Sequence, residues 1–219
     1  ARAQRQSAEM EPPRRRVYRE RAAAWMQKIA VAILPDAAGA RLAAEARRDA
    51  FVQIMREGRW GPQTSGGGST VEYTRATRGI LQQVIRDYGI TSMLDAGCGD
   101  LGWLPVLLES APPGFRYIGV DIVPDLVEQH QRAHPQHEFI AADLVVDAVP
   151  RCDLIVCRDV VQHLPIADAR RVLANFSRSG ARYLLTTTHL RSYGWRNGRD
   201  RRVGRCQDRN LLLKPFSLA

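Results

Sequence analysis

From Thr91 to the C-terminus, short apolar runs alternate with longer stretches whose apolar positions recur at helical spacing. The apolar runs are Met93-Leu94 leading into Asp95, Phe115 to Val120 ending at Asp121, Glu138 to Ala141, Leu154 to Cys157, and Tyr183 to Thr187. Each is short enough to be a strand buried on both faces. Between them, helices are predicted over Leu101–Ser110, Pro124–Ala133 and Pro165–Ser177. Pro124 and Pro165 suit a first helical turn, where the missing N–H is not needed. Alternating strands and helices predict an α/β fold, a doubly wound and mainly parallel sheet with helices on both faces.

The chain before Thr91 has a different texture. Residues 1–58 are rich in Ala, Arg and Glu and form an N-terminal helical extension. One helix is predicted from Tyr18 to Leu34, stopped by Pro35. Asp36 then caps a second that runs to Gly58, with Leu42, Ala46, Phe51, Ile54 and Met55 as its apolar stripe. Such an extension suits a lid, a platform for the core or a homo-oligomer surface. Residues 1–16, with Pro12-Pro13 and Arg14-Arg15-Arg16, read as a mobile tail. Residues 59–90 join the extension to the core through the loop Trp60–Thr70, rich in Gly and Ser, and a helix from Val71 to Tyr88, ended by Gly89. Val71, Ile80, Leu81, Val84 and Ile85 are expected on its buried side. Residues 91–219 are then the ligand-binding core.

Charge and cysteine usage narrow the setting. The formal net charge is +9, and nearly all the cations are arginines. Such a surface attracts phosphates, nucleic acid or anionic membrane, or is simply solvated. The longest apolar stretch, Ile29 to Leu34, is far too short to span a bilayer. No secretory leader is visible at the start, and with no CxxC pair among Cys98, Cys152, Cys157 and Cys206, reduced thiols in the cytoplasm are expected. The chain does not open on Met, which leaves room for residues upstream.

The chemistry concentrates at the strand ends. Leu94-Asp-Ala-Gly-Cys-Gly-Asp-Leu-Gly102 follows the first strand, and Gly97, Gly99 and Gly102 fit GxGxxG. That pattern alone also suits a dinucleotide. A pyrophosphate would be repelled, however, by Asp95 and Asp100 on either side of the turn, whereas a cationic ligand would be attracted. Asp121 ends the second strand roughly twenty residues after the turn, where a carboxylate can take both hydroxyls of a ribose. Asp143 follows the third strand and can accept from an exocyclic amine of adenine. Any one of these acids could be a helix cap or turn residue. Three at successive strand ends, on the edge where open α/β sheets bind ligands, point to a nucleoside site.

Leu94 to Gly99 with Asp100, Tyr117-Ile-Gly-Val-Asp121 and Ala142-Asp143-Leu144 together resemble the successive motifs of class I S-adenosylmethionine-dependent methyltransferases, over about Met93 to Thr188. The resemblance implies a Rossmann-like fold, S-adenosylmethionine as cofactor and S-adenosylhomocysteine as product. It places the cofactor against Asp95, Gly97, Cys98, Gly99, Asp121, Ile122, Asp143, Leu144 and Arg158, with Trp60, Ser65, Gly66 and Ser69 of the glycine-rich loop over the methionine end. A looser similarity, through Trp60-Gly61, Ser65–Ser69, Arg158-Asp159, His163-Leu164, Thr186–His189 and Asn210–Phe216, is to a bacterial subgroup suspected of O-methylating sugars or glycans. Members of the class usually close the sheet with an antiparallel strand pair after strand 5. Here only an Arg-rich stretch and Leu211 to Ala219 follow, so that pair is expected to be missing or truncated.

Methyl transfer is an in-line displacement that needs an aligned nucleophile and, for a hydroxyl, a base. In this fold the loop after strand 4 faces the methyl group, which makes Arg158, Asp159, Gln162 and His163 candidates there. Asp159 or His163 is the expected base, and His189, at the end of the next strand, would orient the acceptor. No Cys/His grouping has zinc spacing. A divalent ion between Asp159, His163 and His189 is conceivable on the residue types alone. The acceptor expected is a sugar, glycan or related small molecule. RNA is an alternative suggested by the charge, and by Tyr193 and Trp195 among the arginines of 191–209. A nicotinamide-dependent oxidoreductase and a non-catalytic S-adenosylmethionine-binding module are the readings from other classes.

Overall fold

In a computed structural model of the chain, the described residues are 36–61, 65–190, 197, 200 and 202–218. The helix expected over Tyr18–Leu34, the tail before it and most of the Arg-rich stretch 191–201 lie outside them. The chain divides into two compact units, 1–45 and 46–219. Of the first, the described residues are the opening turns of helix α1 (Asp36–Arg56). The sheet and the helices that cover it belong to the second.

Five strands form one sheet: β1 (Ser92–Ala96), β2 (Arg116–Asp121), β3 (Glu138–Ala141), β4 (Leu154–Cys157) and β5 (Tyr183–Thr186). Their order is β3-β2-β1-β4-β5, and every pairing is parallel. The order reverses between β1 and β4, and such a reversal opens a crevice beyond the carboxyl ends of the strands. This is the expected Rossmann-like architecture. Among the described residues no strand follows β5.

Successive residues of each strand face opposite sides of the sheet, so each side has its own apolar layer. On one side Leu94, Ile118 and Ile155 pack with Ala169, Val172 and Phe176 of α5 (Ile166–Arg178). On the other, Met93, Tyr117, Leu154 and Val156 pack with Leu81 and Ile85 of α2 (Arg75–Asp87), Leu104 and Leu107 of α3 (Leu104–Leu108), and Val127 of α4 (Pro124–Ala133). The strand starts are tied by Asp153, whose carboxylate accepts from the backbone N–H and the hydroxyl of both Thr91 and Ser92.

Two helices differ from expectation. Helix α2 begins at Arg75 rather than Val71, because residues 70–74 turn under Arg78. That buried guanidinium donates to the Val71 carbonyl and the Thr74 hydroxyl. Val71 and Ile80 are exposed, so the buried side of α2 is Arg78, Leu81 and Ile85, with Val84 half-buried. The helix after β1 is shorter than Leu101–Ser110. Leu101 lies at φ +58°, off the helical path, and α3 starts only at Leu104.

Candidate cofactor and acceptor site

A cleft of about 320 Å3 opens at the carboxyl ends of β1, β2, β3 and β4. Its floor is the turn after β1. Gly97 has φ +85° and Gly99 φ +56°, and a methyl group on either would strike a neighbour, the Val160 side chain at 2.3 Å or the Ser65 hydroxyl at 2.2 Å. Glycine is therefore required at both positions for reasons of backbone and of space. The Gly97 and Cys98 N–H groups donate to the Val120 carbonyl. His130 of α4 donates through Nε2 to the Gly99 carbonyl at 2.7 Å.

The three strand-end carboxylates line this cleft and all are buried. Asp121 accepts from the Gly99 N–H with one oxygen, at 3.0 Å, and from the Val123 N–H with the other, at 3.1 Å. Burial raises its pKa, and these two backbone donors pull against that rise. Asp95 accepts from the Tyr117 hydroxyl at 3.2 Å. Burial pushes the Asp95 carboxyl up to about 7; the Tyr117 hydrogen bond opposes the shift and the nearby Asp121 adds to it. The cleft thus holds two acids that burial has made reluctant to ionise without a cation. Asp143 accepts from the Val145 N–H at 3.0 Å and is paired with Arg47 at 2.8 Å.

The loop before α2 closes one end. The Ser65 N–H donates to the Asp100 carboxylate at 3.2 Å, and the Asp100 N–H donates back to the Ser65 hydroxyl at 2.8 Å. This clasp sets Ser65, Gly66 and Ser69 along the cleft opposite the glycine turn. Arg158, just after β4, donates to the Gly68 carbonyl, pairs with Asp159 at 3.0 Å and lies 6.0 Å over the Tyr73 ring. Asp159 takes the left-handed conformation at φ +57°, with its N–H donating to the Thr187 hydroxyl. The Trp60 ring stacks on that of His163 with centroids 4.9 Å apart, and Phe51 meets Trp60 edge-on. Burial lowers the His163 pKa, with the charge of Asp159 pulling the other way, so the ring is neutral near neutral pH.

All thirteen residues expected at the cofactor line the cleft: Trp60, Ser65, Gly66, Ser69, Asp95, Gly97, Cys98, Gly99, Asp121, Ile122, Asp143, Leu144 and Arg158. Asp159, Gln162 and His163 line it too. His189 does not. Its Nδ1 accepts from the Arg209 N–H at 3.3 Å and its Nε2 lies 3.8 Å from Asp208, so the ring is turned into the C-terminal segment. Among the described residues no group of three His, Cys, Asp or Glu side chains is placed to hold a metal ion, so Asp159, His163 and His189 do not form one. The sequence pattern also leaves one wall unmarked. Arg47, Phe51 and Met55, from the second half of α1, line the cleft. Phe51 and Met55 are legible only as part of an apolar stripe, and nothing in the local pattern marks Arg47.

Residues 94–180 match the family model described as a methyltransferase domain. The matched stretch runs from β1 to α5, whose order and register are Rossmann-like. Over 96 residues the chain is 38% identical to trans-aconitate 2-methyltransferase of Azoarcus sp. (strain BH72), covering 43% of this chain and 37% of that protein. It therefore spans little more than a third of that relative's length. Among solved structures, it is similar to magnesium protoporphyrin IX methyltransferase (ChlM) from Synechocystis PCC 6803, with TM-score 0.44, 19% identity, and 54% of this chain and 57% of that one covered. It is also similar to the N-methyltransferase NodS from Bradyrhizobium japonicum WM9, with TM-score 0.41, 18% identity, and coverage of 49% and 56%.

Proposed function

We propose that the chain transfers the methyl group of S-adenosylmethionine to an oxygen of a small acceptor, a sugar, glycan or related molecule. The observation that carries the cofactor assignment is the set of three buried carboxylates, Asp95, Asp121 and Asp143, at successive strand ends around one cleft. A carboxylate offers about four acceptor positions, so Asp121 can bond ribose hydroxyls while holding Gly99 and Val123. Asp143 in the same way can take the adenine amine beside its Arg47 contact, with Ile122 and Leu144 against the base. Asp95 faces the methionine end, where an ammonium and a sulfonium supply the positive charge that lets it ionise. Trp60, Ser65, Gly66, Ser69 and Arg158 enclose that end. A pyrophosphate in the same place would meet the carboxylates of Asp95 and Asp100, which disfavours a nicotinamide dinucleotide.

The acceptor enters beside Asp159 and His163. One of the two takes the hydroxyl proton, and the depressed pKa of His163 leaves its ring able to accept it. His189 has no part in this step, since it is engaged by Arg209 and Asp208 outside the cleft. No helix among the described residues is long and apolar enough to cross a membrane. None of the described cysteines forms a disulfide, in keeping with work in the cytoplasm. The test is transfer of labelled methyl from S-adenosylmethionine to fractionated cell extract. Label in a small hydroxylated product supports the reading; label confined to RNA replaces the acceptor, and no transfer with cofactor bound leaves a binding module.

A further inference from the structure

Helix α1 presents Arg47, Phe51 and Met55 to the cleft. They recur every four residues and so share one face of the helix. Two are apolar, and the third is a buried cation. Arg47 sets Nε at 2.9 Å and Nη2 at 2.8 Å from a single oxygen of Asp143, Oδ2. The other oxygen, Oδ1, accepts from the Val145 N–H at 3.0 Å. The third nitrogen of the guanidinium, Nη1, reaches Asp168 at 3.2 Å, and Asp168 is paired in turn with Arg171 at 3.0 Å. Two arginines thus balance two aspartates behind the cleft wall.

A guanidinium keeps its charge at every ordinary pH. With two of its N–H groups on one oxygen, Asp143 is held as a carboxylate, and an ionised carboxyl only accepts hydrogen bonds. It offers about four acceptor positions. Arg47 fills the two on Oδ2 and the Val145 N–H fills one on Oδ1, so Oδ1 has about one left for a ligand. A base lying against Asp143 must therefore bring a donor. Adenine brings its exocyclic amine. A 6-oxo purine brings a carbonyl oxygen to the same place, with lone pairs facing those of the carboxylate. A buried acid without its cation behaves differently. Burial favours the protonated form, and a protonated carboxyl has an O–H to give to that carbonyl.

Resting on the S-adenosylmethionine reading, we infer that Arg47 is a positioning residue that sets the base selectivity of the nucleoside pocket. It acts through Asp143. With the cation in place the pocket takes an amine at this position and refuses a carbonyl. A helix outside the matched stretch 94–180 thereby decides which purine the cleft accepts.

The experiment is calorimetry at pH 6 on the full chain with S-adenosylhomocysteine and with S-inosylhomocysteine, its 6-oxo counterpart. The two ligands differ only in the purine. Contacts to the ribose and the ammonium, and the charge state of Asp95, therefore cancel in the ratio of their affinities. In the unsubstituted chain the adenosyl ligand binds at least about tenfold tighter, the worth of one hydrogen bond to a charged group. Arg47→Met lowers that preference by about tenfold. Arg47→Gln, which removes the charge but keeps a donor, lowers it as well and replaces Arg47→Met if the latter does not fold. Arg47→Lys, which keeps the charge, retains the preference. A purely structural loss would weaken both ligands together and leave the ratio unchanged. An unselective unsubstituted chain, an unchanged ratio in Arg47→Met or Arg47→Gln, or an Arg47→Lys variant as unselective as these would each overturn the inference and leave the cofactor reading standing. Failure of the unsubstituted chain to bind S-adenosylhomocysteine would overturn both.

Discussion

Arg47 is a cation from outside the stretch 94–180 that matches the methyltransferase family model, and replacing it with Met has a calculable cost. Its guanidinium is almost wholly buried. It reaches Asp143 through Nε at 2.9 Å and Nη2 at 2.8 Å, and Asp168 through Nη1 at 3.2 Å. Asp143 and Asp168 are buried as well. Removing one partner of a buried pair strands the other charge, at about 3–5 kcal/mol. Here neither acid is stranded completely, because Asp143 keeps the Val145 N–H and Asp168 keeps Arg171 at 3.0 Å. The expected loss is therefore near the lower end, about 3 kcal/mol. For a unit of this size that lowers the melting temperature by roughly 6–12 °C. Urea denaturation of Arg47→Met gives the free energy directly, and Arg48→Met on the exposed side of α1 should change it by less than about 0.5 kcal/mol. Adding Asp143→Asn to Arg47→Met should cost less than Asp143→Asn alone, since the two share one interaction. A loss below about 1 kcal/mol for Arg47→Met, or strict additivity, would refute the claim that this ion pair holds the second half of α1 to the wall of the cleft.

Other consequences can be measured in parallel. Asp95 keeps its proton in the native state until about pH 7, while the unfolded chain loses it near the ordinary carboxylate value. The native state then binds more protons between roughly pH 4 and 7, so Asp95 makes the ligand-free protein less stable as pH rises through that window. Asp95→Asn should remove that slope in chemical denaturation at pH 5 to 8. The same proton must leave before a cationic ligand is well bound, so affinity for S-adenosylmethionine should fall by up to about tenfold per pH unit below 7, and Asp95→Asn should flatten the dependence. Ser65→Ala breaks half of the clasp with Asp100. Residues 60–70 should become protease-resistant on saturation with cofactor in the unsubstituted chain and stay sensitive in the variant; equal cleavage in all states would count against closure of this loop. Whichever of Asp159→Asn and His163→Ala removes the base should lose on the order of 10²–10⁴-fold in turnover with cofactor affinity retained. Normal turnover in both would mean that the acceptor needs no base from this loop.

The sheet and the carboxylate edge are legible in the sequence because each depends on local pattern. A doubly buried strand is a short apolar run, and Asp95, Asp121 and Asp143 each follow one. The helix ends are less legible, because they depend on single backbone choices. The left-handed turn at Leu101 shortens α3, and the Arg78 side chain, reaching back to Val71, delays α2. His189 departs from its expected place because the end of β5 fixes where the backbone goes and not which way the ring turns; the Arg209 N–H decides that from twenty residues further on. Arg47 is invisible to sequence pattern for a related reason. Its partners lie 96 and 121 residues away, and no periodicity records a contact at that range.

The most direct measurement is calorimetric titration of the chain with S-adenosylhomocysteine, S-adenosylmethionine and NAD, repeated on Asp121→Ala. Both adenosyl ligands should bind and NAD should not. Asp121→Ala should weaken both by about 1.5–3 kcal/mol, the range for a hydrogen bond to a charged group. Tight NAD binding, or adenosyl ligands whose affinity ignores the loss of Asp121, would contradict the assignment of this cleft.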